Sequence, residues 1–420
     1  MGKKIGLQTW GTDGDIRPFV ALSGGLASAG YDVTLVVTSI DGKDYTQLAT
    51  ALGFRIIHTG GIPEGMHIEM ARKILKIKNL LKQMKVMFGE LFEPGVDEIY
   101  SESKKLCAKN DAVVGHHFIY PLRISAELNK RPYATVFLCH GAIATKGVAP
   151  PGLPNLGPFV NNFLWRAGER WANANLSPMV NRLRVKEGLE PVTKVFGEGW
   201  ASQKLNLIAV SETLCERPPD WGDHHKLCGF FRMPGTAEKW EPPASLKDFL
   251  AKGDKPVYLT FGSMLQFDLQ KMTQLMVDAA ELAGVRAIIQ ADWDKVNGIP
   301  ESRNIYRIGK TPHDLIFPFC SMVVHHGGSG TTQASLLAGL PSVVVEHGFD
   351  QNFWGLELLR VGVTGRVLHR RSVTAKKLAM AIREVVATPD MAQTAKNIGH
   401  KMRDEDGVKK AVRFINENLF

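Results

Sequence analysis

Cysteine is scarce and unpatterned in this chain: five in 420 residues, at Cys107, Cys139, Cys215, Cys228 and Cys320. An odd number at wide spacing, with no C-x-x-C pair, excludes a disulfide framework and a cysteine zinc site, and suits a reducing cytoplasm. Long apolar runs are also missing, so no membrane-spanning helix is expected. The longest uncharged stretch, GVAPPGLPNLGPFVNNFLW at 147–165, is broken by Pro, Gly and Asn. The start, MGKKIGLQTWGTDGD, has too short an apolar run for a signal peptide. No G-x-G-x-x-G follows the first expected strand, which removes the fingerprint of a hydride-transfer enzyme. Acid is the minority charge, with 42 Asp and Glu against 51 Lys and Arg, a net charge of +9 and a pI of about 9.2. That balance favours anionic partners, but charge alone does not choose among nucleotides, phosphates, lipid surfaces and nucleic acid.

What is present is an α/β rhythm. KIGLQTW, DVTLVVT, FRIIHT, DAVVGHH and YATVFLC read as strands, with helical patterns between the first of them. The alternation predicts a parallel sheet covered on both faces. Residues 215–244 are dense in Pro and Gly and read as an interdomain linker. After them PVYLTFGS, VRAIIQA, RNIYRIG, SMVVHH and PSVVVE resume the rhythm. Two α/β halves of similar size are expected: 1–214, then the linker 215–244, then 245–400, with a final helix over 401–420.

The most patterned stretch is HHGGSGTTQASLLAGLPSVVVEHGFDQNFWG, residues 325–355. Its first part reads as strand, glycine-rich turn, helix. Such a turn places free backbone N–H groups and the positive end of a helix dipole at one point, an anion site. Gly328 and Gly330 permit close backbone approach, Ser329 and Thr331 add hydroxyl donors, and His326 adds an imidazole. A plain strand–helix turn with a satisfied histidine fits the same residues. One strand later Asp350 and Gln351 offer the mixture of acceptors and donors that a polyhydroxylated ring needs. Asp350 fits a helix N-cap equally well. Phosphate donors and a sugar-reading pair on neighbouring strand ends describe a nucleotide-sugar site.

His326 to Thr331 followed by Asp350-Gln351 resembles the donor signature of family 1 glycosyltransferases. VYLTFGSM and GKTPHDLIFPFC resemble two further segments of that family. The ending DQNFWG, with Trp354, and the N-terminal GTDGDIRPFVALSGGLASAGYDV most resemble the sterol 3-beta-glucosyltransferase branch. The resemblance covers nearly the whole chain. It implies the GT-B fold: two Rossmann-like doubly wound parallel-sheet domains facing a central cleft. The N-terminal domain would bind acceptor, the C-terminal one donor, and the last helix would pack back on the N-terminal domain. It implies donor contacts from Gly262, Ser263, His326, Gly328, Ser329, Gly330, Thr331, Asp350 and Gln351. Glu346 and Phe349 stand where the family usually has Pro and Gly. Ala334 and Leu315 replace a ribose-binding Glu and a base-stacking Trp.

In QTWGTDGDIRP, Asp15 taken alone fits an N-cap, with Pro18 in the first turn. The resemblance makes this loop the acceptor-side catalytic loop and Asp15 the base. Asp13 replaces a more usual Arg. The implied reaction is a direct displacement at the anomeric carbon with inversion, glucose passing from UDP-glucose to a hydroxyl of a sterol or similar lipophilic polycyclic acceptor. A dTDP-sugar transferase, a broad phenol glucosyltransferase and a non-catalytic nucleotide-sugar binder are the alternatives. A carboxylate with a reference pKa of ~3.9 takes the proton late, as the new bond makes the oxygen acidic. No metal and no cofactor are expected beyond the UDP-sugar as co-substrate, and no nucleic-acid partner.

His116 and His117 fall at another strand end. Each reads as an ordinary core or surface histidine, or as a group facing Asp15; His117 is the second catalytic candidate. Trp10, Asp13, His116, Met84, Phe88 and Trp354 are the candidate acceptor-binding residues. Residues 71–92 carry six basic residues before the first acid, Glu90, with Ile74, Ile77, Leu81, Met84 and Phe88 at helical spacing. That basic amphipathic pattern fits a core-facing stripe or a peripheral membrane contact.

Overall fold

The computed structural model describes residues 2–60, 66–77, 79–234, 240–262 and 268–420. It divides into two compact units, residues 1–235 with 405–420, and residues 236–404.

The first unit is built on β1 (Lys4–Gly11), β2 (Asp32–Ser39), β3 (Arg55–His58), β4 (Ala112–His116), β5 (Tyr133–Phe137), β6 (Leu205–Ile208) and β7 (His225–Leu227). Their order is β3-β2-β1-β4-β5-β6-β7, and every pairing is parallel. From Ile5 onward β1 is buried throughout, the pattern of a strand covered on both faces. Its buried long polar side chain is satisfied: Gln8 donates to the Ile99 carbonyl at 3.1 Å and accepts from the Ser103 hydroxyl at 2.7 Å.

The second unit holds β8 (Val257–Leu259), β9 (Ala287–Gln290), β10 (Ile305–Ile308), β11 (Met322–His325), β12 (Ser342–Glu346) and β13 (Val367–His369). The order is β10-β9-β8-β11-β12-β13, again parallel throughout. The Val- and Ile-rich runs that read as strands are these strands. β6, β7 and β13 are strands that the sequence reading did not include.

Residues 215–234 are not a linker. They supply β7, and Cys215, Trp221, Cys228 and Phe231 are buried in the first unit. Their Pro and Gly density reflects tight turns around an edge strand. The helix Gly407–Leu419 lies on the helix Asp13–Ser28. A Cβ at Gly25 would fall 2.2 Å from Val408, so glycine is what allows that approach.

Residues 71–92 do not form one helix. Met66–Lys76 and Leu80–Val86 are separate helices, followed by a wide turn over Met87–Phe92. Ile74, Leu75, Met87 and Phe88 are buried while Arg72, Lys73, Lys76, Lys82 and Lys85 are exposed. Of the stripe, Ile74 and Phe88 are buried and Ile77, Leu81 and Met84 half-buried, so among the described residues none of its large apolar side chains is exposed. Among the described residues no helix is long and apolar enough to cross a membrane.

Candidate functional site

Each sheet reverses its winding once, between β1 and β4 in the first unit and between β8 and β11 in the second. At such a switch point the loops leaving adjacent strand ends diverge and open a crevice where ligands bind. The glycine cluster leaves β11 and the Gly262 loop leaves β8, so both border the second switch point.

The helix Ser329–Leu337 begins directly at the glycine cluster, with Gly328 as its N-cap. Thr332 N–H is the first to find a helical carbonyl, Gly328 at 2.9 Å. The N–H groups of Ser329, Gly330 and Thr331 precede it, in the first turn, where the helix itself offers no carbonyl. Gly262 has φ +54, and a Cβ there would lie 3.0 Å from His326. A Cβ at Gly328 would lie 2.5 Å from Nε2 of the same imidazole. Two glycines thus leave His326 its place between the β8 loop and the helix N-terminus. Its Nδ1 is buried without a hydrogen-bond partner among the described residues, and desolvation pushes its pKa down to about 4. A neutral imidazole here has one buried polar atom waiting for a ligand. Ser263, a further expected donor contact, lies outside the described residues.

His325 is fully buried and serves the turn: its Nδ1 accepts from Gly327 N–H at 3.0 Å. Gly327 has φ +88, and a Cβ there would fall 2.8 Å from the Gln351 carbonyl. This close approach packs the glycine loop against the helix Gln351–Arg360 and brings the two parts of the motif together.

Asp350 takes the N-cap position of that helix without capping it; its Oδ2 instead accepts from Trp354 Nε1–H at 2.9 Å. Burial raises its pKa. Gln351 is buried rather than plain surface, and its Oε1 accepts from His347 N–H at 2.7 Å. Trp354 is 0% exposed. It lines no acceptor surface; its bulk packs inside the second unit and its indole holds Asp350. Gly355 lets the same helix close on β13, since a Cβ there would fall 2.7 Å from Val367. The FWG ending is therefore the support of Asp350.

Two residues beside the pair are unusual. Phe349 has φ +56, a left-handed conformation that a glycine holds without strain. Glu346 is buried, pairs with His369 at 3.2 Å and has its pKa raised by desolvation. His347 escaped the sequence reading. Its Nδ1 lies 2.8 Å from the Val345 carbonyl, which assigns the proton to Nδ1 and leaves Nε2 as an acceptor. That Nε2 is buried and unpartnered among the described residues. Desolvation, reinforced by the nearby His326, pushes the His347 pKa down to about 3.

In the first unit the N-cap of the helix Asp13–Ser28 is Thr12, not Asp15. Asp15 is the third helical residue and reaches back: its Oδ2 accepts from Thr12 N–H at 2.9 Å and from the Thr12 hydroxyl at 3.3 Å, a capping box. Gly11, φ +137, leaves room for this carboxylate, which a Cβ would meet at 2.3 Å. The other oxygen, Oδ1, stands 3.9 Å from His116 Nε2. His116 Nδ1 accepts from Phe118 N–H at 3.4 Å, so its proton belongs on Nε2, facing Asp15. Burial pushes the His116 pKa down to about 3.

His117 points elsewhere. Its ring lies 3.8 Å from Phe118 and stacks on Phe137 at 4.9 Å, and its Nδ1 is buried without a partner among the described residues. The residue beside Asp15 is His116, not His117, because successive strand-end side chains alternate in direction. Asp13 is engaged by the Tyr45 hydroxyl at 2.7 Å and by Lys43 at 2.5 Å, so it is not an open acceptor contact. Trp10 and Phe88 are buried in an aromatic cluster with Phe92, Phe118 and Trp200. Met84 is half-buried.

Residues 5–142 match the glycosyltransferase family 28 N-terminal domain, and residues 274–412 the C-terminal domain of erythromycin biosynthesis protein CIII-like proteins. Sterol 3-beta-glucosyltransferase UGT80A2 of Arabidopsis thaliana is 30% identical over 97% of this chain, which spans 64% of that relative's length. The O-mycaminosyltylonolide 6-deoxyallosyltransferase of Streptomyces fradiae is 29% identical, covering 99% of this chain and 97% of that one. The crystal structure of the kitacinnamycin glycotransferase superposes with a TM-score of 0.71 at 17% identity, each chain covered completely. With two all-parallel Rossmann-like sheets and both domain models matched, the chain has the GT-B fold and carries a glycosyltransferase family 28 N-terminal domain followed by an erythromycin biosynthesis protein CIII-like C-terminal domain.

Proposed function

We propose that this chain moves glucose from UDP-glucose to a hydroxyl of a sterol or similar lipophilic polycyclic acceptor, inverting the anomeric centre without a resident metal or cofactor. The observation that carries the reading is His326: a neutral imidazole whose buried Nδ1 has no partner among the described residues, set beside the N-terminus of the helix Ser329–Leu337 at the switch point. That set suits the two phosphates of a nucleoside diphosphate. As the bond from the anomeric carbon to the diphosphate oxygen breaks, charge grows on that oxygen, and these preorganised donors stabilise it there. The acceptor oxygen forms the new bond on the opposite face and gives its proton to Asp15. His116, with its proton on Nε2, stabilises the Asp15 carboxylate rather than competing for the proton. Asp350, held by Trp354, and Gln351 take the sugar hydroxyls.

The glucose and the sterol acceptor are supported by the likeness to sterol 3-beta-glucosyltransferases. The likeness to a deoxyallosyltransferase that is covered almost end to end favours a second reading, a dTDP-deoxysugar transferred to a polyketide. Turnover of UDP-glucose, dTDP-glucose and dTDP-rhamnose against sterols, macrolides, hydroxy fatty acids and flavonoids separates the two. Steryl glucoside from UDP-glucose alone is the expected product. Transfer only from a dTDP-sugar to a macrolide replaces the first reading with the second. Nucleotide binding with no product from any pair leaves a binding protein.

A further inference from the structure

Residues 141–168 contain no acid, and the charged residues between 141 and 175 are Lys146, Arg166, Glu169 and Arg170. The loop 146–157 leads into the helix Pro158–Asn175. Gly157, φ +93, turns the chain sharply, and Pro158 starts the helix. The loop is pinned to that helix: Asn161 Nδ2 donates to Asn155 Oδ1 at 2.8 Å and to the Lys146 carbonyl at 3.1 Å, and Trp165 Nε1 donates to the Val148 carbonyl at 2.9 Å. The surface so held is apolar and uncovered. Phe159 is 93% exposed, Phe163 64% and Leu156 63%, with Val148, Leu153 and Val160 exposed beside them.

Phe159, Phe163, Arg166 and Arg170 follow one another at helical spacing of four, three and four, so they share one face. That face runs from apolar at the helix start to basic further along, and Lys146, Arg166 and Arg170 are all exposed. An exposed apolar tip flanked by cations fits an interface that is greasy below and anionic above. Among the described residues the lysine-bearing helices of residues 66–86 show no exposed large apolar side chain.

We propose that residues 146–170 form a membrane-docking element that seats on an anionic phospholipid bilayer. Leu156, Phe159 and Phe163 enter the headgroup–acyl boundary while Lys146, Arg166 and Arg170 meet lipid phosphates. The contact is peripheral. It does not depend on which sugar or acceptor the chain uses.

The test is co-sedimentation of the full chain with vesicles of phosphatidylcholine alone, or of phosphatidylcholine and phosphatidylserine in a two-to-one ratio. Binding to the anionic vesicles that weakens with added salt is expected. Phe159→Asp with Phe163→Asp lowers partitioning by roughly tenfold per ring or more. Arg166→Glu with Arg170→Glu lowers it by at least about twentyfold on anionic vesicles. All four side chains are exposed, and unchanged circular dichroism and melting confirm that the variants fold. Phe159→Trp gives an independent readout, a blue-shifted emission quenched by brominated lipid. The proposal falls if the chain stays in the supernatant with anionic vesicles at low salt, or if the double aspartate variant sediments like the parent. A dimer in analytical ultracentrifugation that the aspartates dissociate, without vesicle binding, overturns it in favour of a second copy of this chain.

Discussion

His116 presents its protonated Nε2 to Oδ1 of Asp15 at 3.9 Å, while the other oxygen of Asp15 closes a capping box on Thr12. One carboxylate therefore fastens the start of a helix with one oxygen and faces the His116 imidazole with the other. Asp15→Asn preserves an acceptor for Thr12 N–H and removes the base. The expected outcome is loss of turnover with unchanged UDP affinity by calorimetry, and a stability change of about 1 kcal/mol or less. Full turnover in this variant refutes the assignment of the base.

Trp354 and Asp350 make a second linked pair. Trp354→Phe keeps most of the packing and removes the only hydrogen-bond donor the indole carries. A buried carboxylate that loses a partner costs about 1–3 kcal/mol. The expected kinetic signature is a raised KM for the sugar donor with UDP binding nearly intact, because the proposed diphosphate contacts lie on the other loop. Equal loss of UDP and UDP-sugar affinity argues that the helix as a whole has shifted.

Phe349 holds a backbone conformation that costs a residue with a Cβ about 1–2 kcal/mol. Phe349→Gly and Phe349→Ala both delete the ring, so their difference isolates the backbone. The glycine variant is expected to be more stable than the alanine variant by about 1 kcal/mol in urea unfolding. Equal stabilities show that the loop relaxes out of the left-handed region.

Acid reads the buried histidines. His116 in the first unit and His347 in the second have pKa values pushed down to about 3 by burial. Between that value and the ordinary histidine range the unfolded chain binds a proton that the folded chain refuses, so stability rises with pH there. It is complete above about pH 6.5 and is lost as the pH falls toward 3. At pH 5 each of the two histidines costs its unit about 2 kcal/mol relative to pH 7. Urea midpoints at the two pH values measure this, and His347→Phe is expected to flatten the second unit's dependence.

Much of the site is legible before folding because its chemistry is local. The glycine turn, the helix after it and the Asp-Gln pair lie within thirty-one residues, and each follows from residue type and spacing. The Pro- and Gly-rich run at 215–234 misleads for the same reason: punctuation marks turns, but only pairing with β6 shows that the turns flank a strand. Trp354 misleads because an aromatic residue reads alike on a binding surface and in a core.

By itself the sequence determined the two α/β halves, the glycine turn before a helix and the carboxylate at the end of the first strand, since these rest on periodicity and on the few residues a turn accepts. Tertiary structure decided which histidine faces Asp15, that Trp354 supports Asp350, that His347 offers a buried acceptor, and that the exposed apolar surface belongs to 146–163 rather than to 71–92. Each of these is a question of direction. A strand register or a helix rotation settles it, and both are set by contacts between segments far apart in the chain.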